Sequence, residues 1–310
     1  MLKSRPILNK FAKCARSTWE KNWPEIHAAS RKGLPDFILH PRPNTIGNNV
    51  PVFCYHTVSD AGLEEDLRYL IRNGYKTIDA DTLLEHLKCN KSNIDQAVVL
   101  TFDDGAHNLF ESVFPLLKQY NMKGIAFIAP GFHVENFISQ KNQPCENNHR
   151  PLTWTEILEI SASGCIDFQS HTHQHRFVPR WPEPLELEGS DPEIIDSLRG
   201  QALSLEDDFR RAKEVLEQKI GKRIRHLAFP KFVGTDEGVA VAKKVGYEAC
   251  WWGVLPMRSG NRPNQSAWQI VRVDARYLRR LPGNGRISLA DVMCKRYRGS
   301  FERITLQLVG

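Results

Sequence analysis

From about Val50 to Asp274, short apolar runs alternate with stretches whose apolar positions recur every three or four residues. PVFCY (51–55) predicts a strand, LEEDLRYLIRNGY (63–75) an amphipathic helix, KTID (76–79) a short strand and residues 80–87 a second helix. AVVLTF (97–102) has the pattern of a buried strand and leads into a helix predicted over 107–120, then the strand KGIAFIA (123–129). The rhythm continues with a capped helix in TWTEILEIS, the strand CIDFQ, a helix in SLEDDFRRAKEVLEQKI, the strand HLAFP, the helix GVAVAKKVGY and the strand EACWWG. Strands joined by helical crossovers run in one direction, so repeated βα units predict a parallel sheet, open or closed into a barrel.

The rhythm stops at both ends and at two places inside. Residues 1–48 mix short amphipathic pieces with Pro35, Pro41 and Pro43 and finish in the turn formers NTIGNN, which predicts an appendage before a main domain over 49–274. Residues 275–310 are a second extension, expected to pack on that domain. The stretches 131–152 and 176–203 are polar, proline-bearing insertions, and in βα folds such loops line the carboxyl ends of the strands, where sites form.

Composition narrows the class. At 310 residues, with 41% hydrophobic and 25% charged positions, the chain can bury a substantial core. Charges interrupt every apolar run of the first 35 residues, so no signal peptide or spanning helix is predicted. The seven cysteines are scattered without a CxxC pair, which suits a reduced cytoplasmic setting. The net charge of +6 is uneven: residues 1–32 hold eight Lys or Arg against two acids, residues 272–303 nine against three, and 183–208 nine acids against one Arg. Such runs are solvated faces or docking sites for an anionic membrane or lipid-linked substrate at the membrane's inner face. No basic motif is interleaved with aromatics, so nucleic acid is not an expected partner.

Three strand ends carry residues able to do chemistry. AVVLTFDDG delivers Asp103 and Asp104 before Gly105; neighbouring side chains diverge at a strand end, so one carboxylate can bind a metal while the other reaches a water, although the same triplet also suits a simple turn. CIDFQ leads into SHTHQH, where His171 and His175 would share a side if the backbone made a helical turn, leaving His173 on the surface or behind a ligand. PVFCYHTV ends at His56, a histidine suited to donating a proton or to a structural role.

Together these stretches resemble the polysaccharide deacetylase family, also called the NodB-homology or carbohydrate esterase 4 family, and in particular its poly-N-acetylglucosamine deacetylase-like branch. TFDDG matches the family's first motif, and His171-Thr172-x-x-His175 its second, H-[ST]-x-x-H. PVFCYHTV resembles the branch's P-V-L-x-Y-H opening, and HLAFPKFVG its F-A-Y-P-x-G segment. The resemblance runs from about Pro51 to Asp274 and implies a distorted (β/α) barrel of about seven parallel strands.

It further implies that Asp104, His171 and His175 hold one divalent metal, zinc foremost, with Co2+, Ni2+ or Mn2+ as alternatives. Asp103 would be the base that activates metal-bound water, and a backbone N–H near Gly105 or Lys231 would face the oxyanion. His56 would be the acid for the leaving amine, as the branch's Tyr-His motif implies, and the absence of a leucine-x-histidine motif near the carboxyl end strengthens that assignment. The family's arginine two residues before the proline is absent, since Ala228 stands there, and Arg272 in WQIVRVD could supply the positive charge instead. Trp251 and Trp252 are either a wall for stacking a sugar or part of the core. The implied activity is removal of an N-acetyl or N-formyl group from an amino sugar of a polysaccharide, an oligosaccharide or a lipid- or nucleotide-linked precursor. The alternatives are an amidohydrolase acting on a non-sugar C–N bond and an inactive glycan- or membrane-binding module, the latter disfavoured by retention of both aspartates and all three proposed site histidines.

Overall fold

The computed structural model describes residues 23–56, 58–89, 94–135, 150–185, 187 and 189–295. They fall into two units: residues 47–253 with 260–275, and the remainder, namely 23–46, 254–259 and 276–295. The two described extensions thus belong to one unit, together with a six-residue piece from inside the predicted main domain.

The larger unit is a nearly closed barrel of parallel strands, β1 (Val52–Tyr55), β3 (Ala97–Asp103), β4 (Gly124–Ile128), β5 (Ile166–Ser170), β8 (His226–Ala228), β9 (Ala249–Trp252), β10 (Ile270–Val271) and β11 (Val273–Asp274), with a short β2 (Lys76–Thr77) beside β3. Along the sheet the order is β10-β9-β8-β5-β4-β3-β1-β11. The late strand WQIVRVD is interrupted at Arg272, so its first half pairs with β9 (Val271 beside Trp252) and its second with β1 (Val273 beside Phe53). One five-residue segment therefore joins both edges of the sheet, and Arg272 sits at the seam.

Helices α1 (Asp60–Arg72), α2 (Ala80–Lys88), α3 (Phe114–Gln119), α4 (Trp154–Ala162), α5 (Pro192–Gly200), α6 (Leu205–Ile220) and α7 (Asp236–Val245) complete the unit. The helix predicted over 107–120 begins as a wide π turn over Leu109–Val113, and Pro115 then opens α3. Residues 136–149 of the first insertion lie outside the described residues. The second insertion has structure of its own: an antiparallel pair, β6 (Arg176–Phe177) with β7 (Glu183–Pro184), and α5, whose first turn is capped by Asp191.

Side-chain alternation divides the barrel interior into two ends. Val52, Ala97, Val99, Ile125, Phe127, Ala249, Trp251 and Ile270 form one buried cluster with Ala80, Leu83, Leu84 and Leu87 of α2. The Asp79 carboxylate starts that helix by accepting from Thr82 N at 2.9 Å. Each buried leucine there contributes on the order of 2 kcal/mol. Two and four residues beyond Val99, the same inward register presents Thr101 and Asp103, both buried. The apolar end closes the barrel, and the polar end is left for chemistry.

Trp251 belongs to the closed end, which corrects its reading as a sugar-stacking wall. It is fully buried, packs against the Phe127 ring at 5.2 Å and donates its indole N–H to His226 Nδ1 at 3.1 Å. Trp252 is likewise buried, edge-on to Phe229 at 4.8 Å. His226 Nδ1 is thereby an acceptor, and its Nε2–H points to Asp81 Oδ1 at 3.0 Å.

In the smaller unit, part of the basic carboxyl-terminal stretch is spent on backbone carbonyls instead of facing solvent. Arg280 donates to the carbonyls of Ile38 and Ile287, both at 2.8 Å, and Arg286 to those of Pro41 and Phe37 at 2.7 and 2.9 Å. No helix among the described residues is long and apolar enough to cross a membrane.

Replacing Trp251 by Phe removes the indole donor and part of the packing, and should destabilise the fold by about 1–3 kcal/mol in urea unfolding while leaving KM for substrate unchanged. A raised KM with unaltered stability would return Trp251 to the binding surface.

Candidate active site

The carboxyl ends of β1, β3, β5 and β8 converge on one group of polar side chains. At the end of β3, Asp103 is buried and accepts from Arg272 Nη1 at 2.7 Å (Oδ1) and 3.0 Å (Oδ2). The guanidinium is fully enclosed, lying 5.3 Å from the Phe127 ring centre and 4.9 Å from that of Phe232, with Nε–H donated to Trp252 O. Burial raises the Asp103 pKa, but the charges of Arg272, then His171 and His56, more than offset it and hold the carboxyl below its usual range.

Asp104 follows with φ +73°, in the left-handed region, and this turns its carboxylate away from that of Asp103 towards two imidazoles. Its Oδ1 lies 3.3 Å from His175 Nε2 and 3.6 Å from His171 Nε2. Here too burial raises the pKa, and the protonated forms of His175, His56 and His171 outweigh it, so the group is held far below the normal carboxylate range.

The helical turn expected between the two histidines does not form. Thr172 at φ +66° and His175 at φ +48° are left-handed, and these single residues, each costing roughly 1–2 kcal/mol, bring the rings within 5.1 Å by a non-helical path. His171 Nδ1 lies 2.9 Å from Ala228 O and His175 Nδ1 3.3 Å from Leu185 O. Only a protonated Nδ1 can donate to a carbonyl, so both tautomers leave the Nε2 lone pair facing Asp104. Two neutral imidazoles and a carboxylate, with ligand atoms within 4.8 Å of one another, suit a divalent ion of the zinc type and leave coordination positions for other ligands. Burial pushes the His171 imidazole down to about 4, which favours the neutral form a ligand needs.

A second group, Cys54, His56 and Asp103, also lies within 4.8 Å. Arg272, bonded to Asp103 and 3.7 Å from Cys54 Sγ, already places a cation there, so this group does not suit a metal. His56 is exposed at the mouth, edge-on to Phe232 at 5.1 Å. Gly105 has φ +69°, and a Cβ on it would meet Ile128 Cγ2 at 2.7 Å and His133 Cε1 at 2.9 Å. Lys231 is also left-handed, with an exposed side chain whose Nζ stands 5.3 Å from the Phe177 ring centre.

His173 is turned out of the ligand group, but burial corrects the surface reading: it is 7% exposed and its Nδ1 has no partner among the described residues. Two residues went unnoticed in the sequence. Asp208 in the first turn of α6 accepts from the backbone N–H groups of His173 and Gln174 at 2.8 and 2.9 Å. A signal existed, since Asp208 shares the buried face of α6 with Ala212 and Leu216 at four-residue spacing, where an acid is out of place. His133 lies under Gly105, its Nδ1 2.7 Å from Leu152 O and its Nε2 without a partner among the described residues; it sits at the start of a polar insertion and carried no such signal.

A parallel βα barrel that gathers ionised carboxylates and neutral imidazoles at the carboxyl ends of its strands has the layout of a hydrolase site. The family model for polysaccharide deacetylase matches residues 90–250, more than half of the chain, and the chain belongs to that family. It is 24% identical over 220 residues to the poly-β-1,6-N-acetyl-D-glucosamine N-deacetylase of Staphylococcus epidermidis, covering 70% of this chain and 68% of that protein. With the protein of the same name from Staphylococcus aureus N315 the identity is 23%, covering 70% and 67%. Among solved structures it is similar to IcaB from Ammonifex degensii (TM-score 0.56, 22% identity, 75% of this chain and 94% of that one). It is also similar to the deacetylase domain of BpsB from Bordetella bronchiseptica (TM-score 0.54, 19% identity, 76% and 99%). At these identities the structural likeness establishes the fold.

Two outcomes follow from the packing under the site. Gly105→Ala forces both a strained φ and a methyl clash, and should lower kcat by about 100-fold or more through displacement of the Asp103-Asp104 turn. Burial pushes His133 down to about 4, only partly offset by its bond to Leu152 O and the Glu156 charge. Between pH 6.5, its usual value, and about 4, the unfolded chain takes up a proton that the folded protein refuses; this residue's contribution is full above 6.5 and is lost as pH falls through that window. In urea titrations across that range, His133→Gln should show the shallower decline.

Proposed function

We propose that this protein hydrolyses the N-acetyl group of N-acetylglucosamine residues in a glycan, with Asp103 as base and His56 as acid. The reading is carried by one observation above the others: a buried carboxylate kept ionised by Arg272 stands next to a separate Asp104, His171 and His175 group with both Nε2 atoms turned inward. The staphylococcal relatives, named for deacetylation of poly-β-1,6-N-acetylglucosamine, support that polymer or its shorter oligomers as the substrate class.

Asp104, His171 and His175 would hold a divalent metal, zinc in the first instance, which when bound supplies Lewis acidity to the amide carbonyl and acidifies water. Asp103 takes a proton from the attacking water, whose oxygen forms the new bond to the acyl carbon. Arg272 keeps that base ionised and restricts its rotation through two hydrogen bonds from one nitrogen. The backbone N–H groups of Gly105 and Lys231 are the candidate donors for the oxyanion. The C–N bond then breaks with proton delivery from His56, and acetate and the free amine depart. The exposure of His56 at the mouth suits a group that must reach the leaving nitrogen and recover its proton from solvent.

The test is acetate release from β-1,6-linked N-acetylglucosamine oligomers by protein stripped of metal and then reloaded with zinc. Activity should vanish on chelation and return with zinc; no acetate from any N-acetylated glucosamine oligomer by the zinc-loaded protein would overturn the reading. Asp103→Asn should cut kcat by about 10²–10⁴-fold with zinc content unchanged, and His56→Ala should slow release and distort its pH profile. Loss of zinc from Asp103→Asn would reassign that residue to the ligand group.

A further inference from the structure

The segment from His171 to His175 holds two left-handed residues, yet no regular element supports it from within. Its backbone is gripped from outside by α6. Asp208, fully buried, directs one oxygen to the His173 N–H (2.8 Å) and the other to the Gln174 N–H (2.9 Å), between the two histidines whose Nε2 atoms face Asp104. Among the described residues no basic side chain is in ion-pair contact with this carboxylate, although the Arg176 charge favours its ionised form, and the two amides are its main hydrogen-bond partners. The rest of the network points the same way. Gln174 Nε2 donates to Gln201 O at 2.7 Å, Arg176 Nε to Gln174 Oε1 at 2.9 Å and Arg176 Nη1 to Pro182 O at 2.6 Å. Arg176 Nη2 reaches Leu198 O at the end of α5.

We infer that Asp208 is a positioning residue for the metal group: by fixing two consecutive amides of the loop, it sets the spacing and direction of His171 and His175. Its side chain lies one step further back than the carbonyls of Ala228 and Leu185, which choose the histidine tautomers, and acts on the backbone that carries the rings. Burial pushes the Asp208 carboxyl up to about 7, against the pull of the two amides and the Arg176 charge towards the ionised form, in which both oxygens accept and neither competes as a donor. An asparagine of the same shape would set an N–H₂ against one of the two N–H groups and leave that amide without a partner. The acidic character of the stretch 183–208 thus includes one acid that is neither solvated nor a ligand.

The inference rests on the metal reading given above, and its test keeps the two apart. Zinc affinity is measured by competition with a chromophoric chelator for the full-length wild type, Asp208→Asn and Phe209→Leu, alongside urea stability and hydrogen exchange of the His173 and Gln174 amides. Phe209 is the buried neighbour on the same helix, its ring beside that of Phe229, so its variant reports a loss of core packing without removing the carboxylate that holds the loop amides. Asp208→Asn should weaken zinc binding by about 10- to 100-fold and speed exchange of the two amides, with Phe209→Leu binding zinc as the wild type does. If the wild type takes up no zinc, the metal reading fails. If it does, and Asp208→Asn binds as tightly or Phe209→Leu loses as much, the positioning role is overturned. Should Asp208→Asn fail to fold, the wild-type amides decide: exchange protection of both as strong as in β3 and β5 supports the anchor, and rapid exchange in the zinc-free protein removes it.

Discussion

The buried pair of Arg272 and Asp103 joins the architecture of this protein to its chemistry. Arg272 is the residue at which the last strand lets go of β9 and takes hold of β1, so its position is set by the seam that closes the barrel. Its guanidinium points inward between Phe127 and Phe232 and meets the carboxylate delivered by the opposite register of β3. A buried ion pair adds little net stability over an apolar pair of the same volume, but removing one partner leaves an uncompensated charge at about 3–5 kcal/mol. The pair thus links the seam that closes the barrel to the charge that favours an ionised Asp103.

Around this pair the molecule separates stability from reactivity by position along the strands. Inward residues near the amino ends are Val, Ala, Ile and Trp packed on the leucines of α2, whereas inward residues two to four positions later are Thr, Asp and His. Left-handed backbone occurs at both ends, as at Gln96 and Asn121 before β3 and β4, but it gathers at the polar one. Asp104, Gly105, Thr172, His175, Lys231 and Phe232 all have positive φ, and all lie just beyond strand ends at the polar side. Regular strands cannot turn several polar groups onto one point, so the turns that do so adopt less favourable dihedrals and are held there by packing and by backbone hydrogen bonds such as Leu152 N to Gly105 O at 2.9 Å.

Charge along the chain turned out to be a poor guide to charge in space. The basic run after residue 272 begins with the arginine that holds Asp103 and continues with Arg280 and Arg286, which bond carbonyls within the smaller unit. Formal charge counts solvated and enclosed guanidinium groups alike, whereas burial and hydrogen bonding distinguish them.

Much of the fold and half of the site were legible in the residues. Continuous apolar runs such as AVVLTF and the helical repeat in SLEDDFRRAKEVL located the strands of the barrel and the helices between them, since both patterns are local; β6, β7 and α5 in the second insertion were not foreseen. The Asp-Asp-Gly turn and the His171 and His175 spacing marked the candidate site because they too are local. What depended on distant contacts was not legible. The placement of Arg272 on Asp103 across 169 residues, the burial of Trp251, the left-handed path between the histidines and the grip of Asp208 on His173 and Gln174 arise only when strands far apart in sequence become neighbours. The chain's local order decided which groups could react; closure of the barrel decided which of them meet, because only packing in three dimensions sets distances between residues that no helix or strand connects.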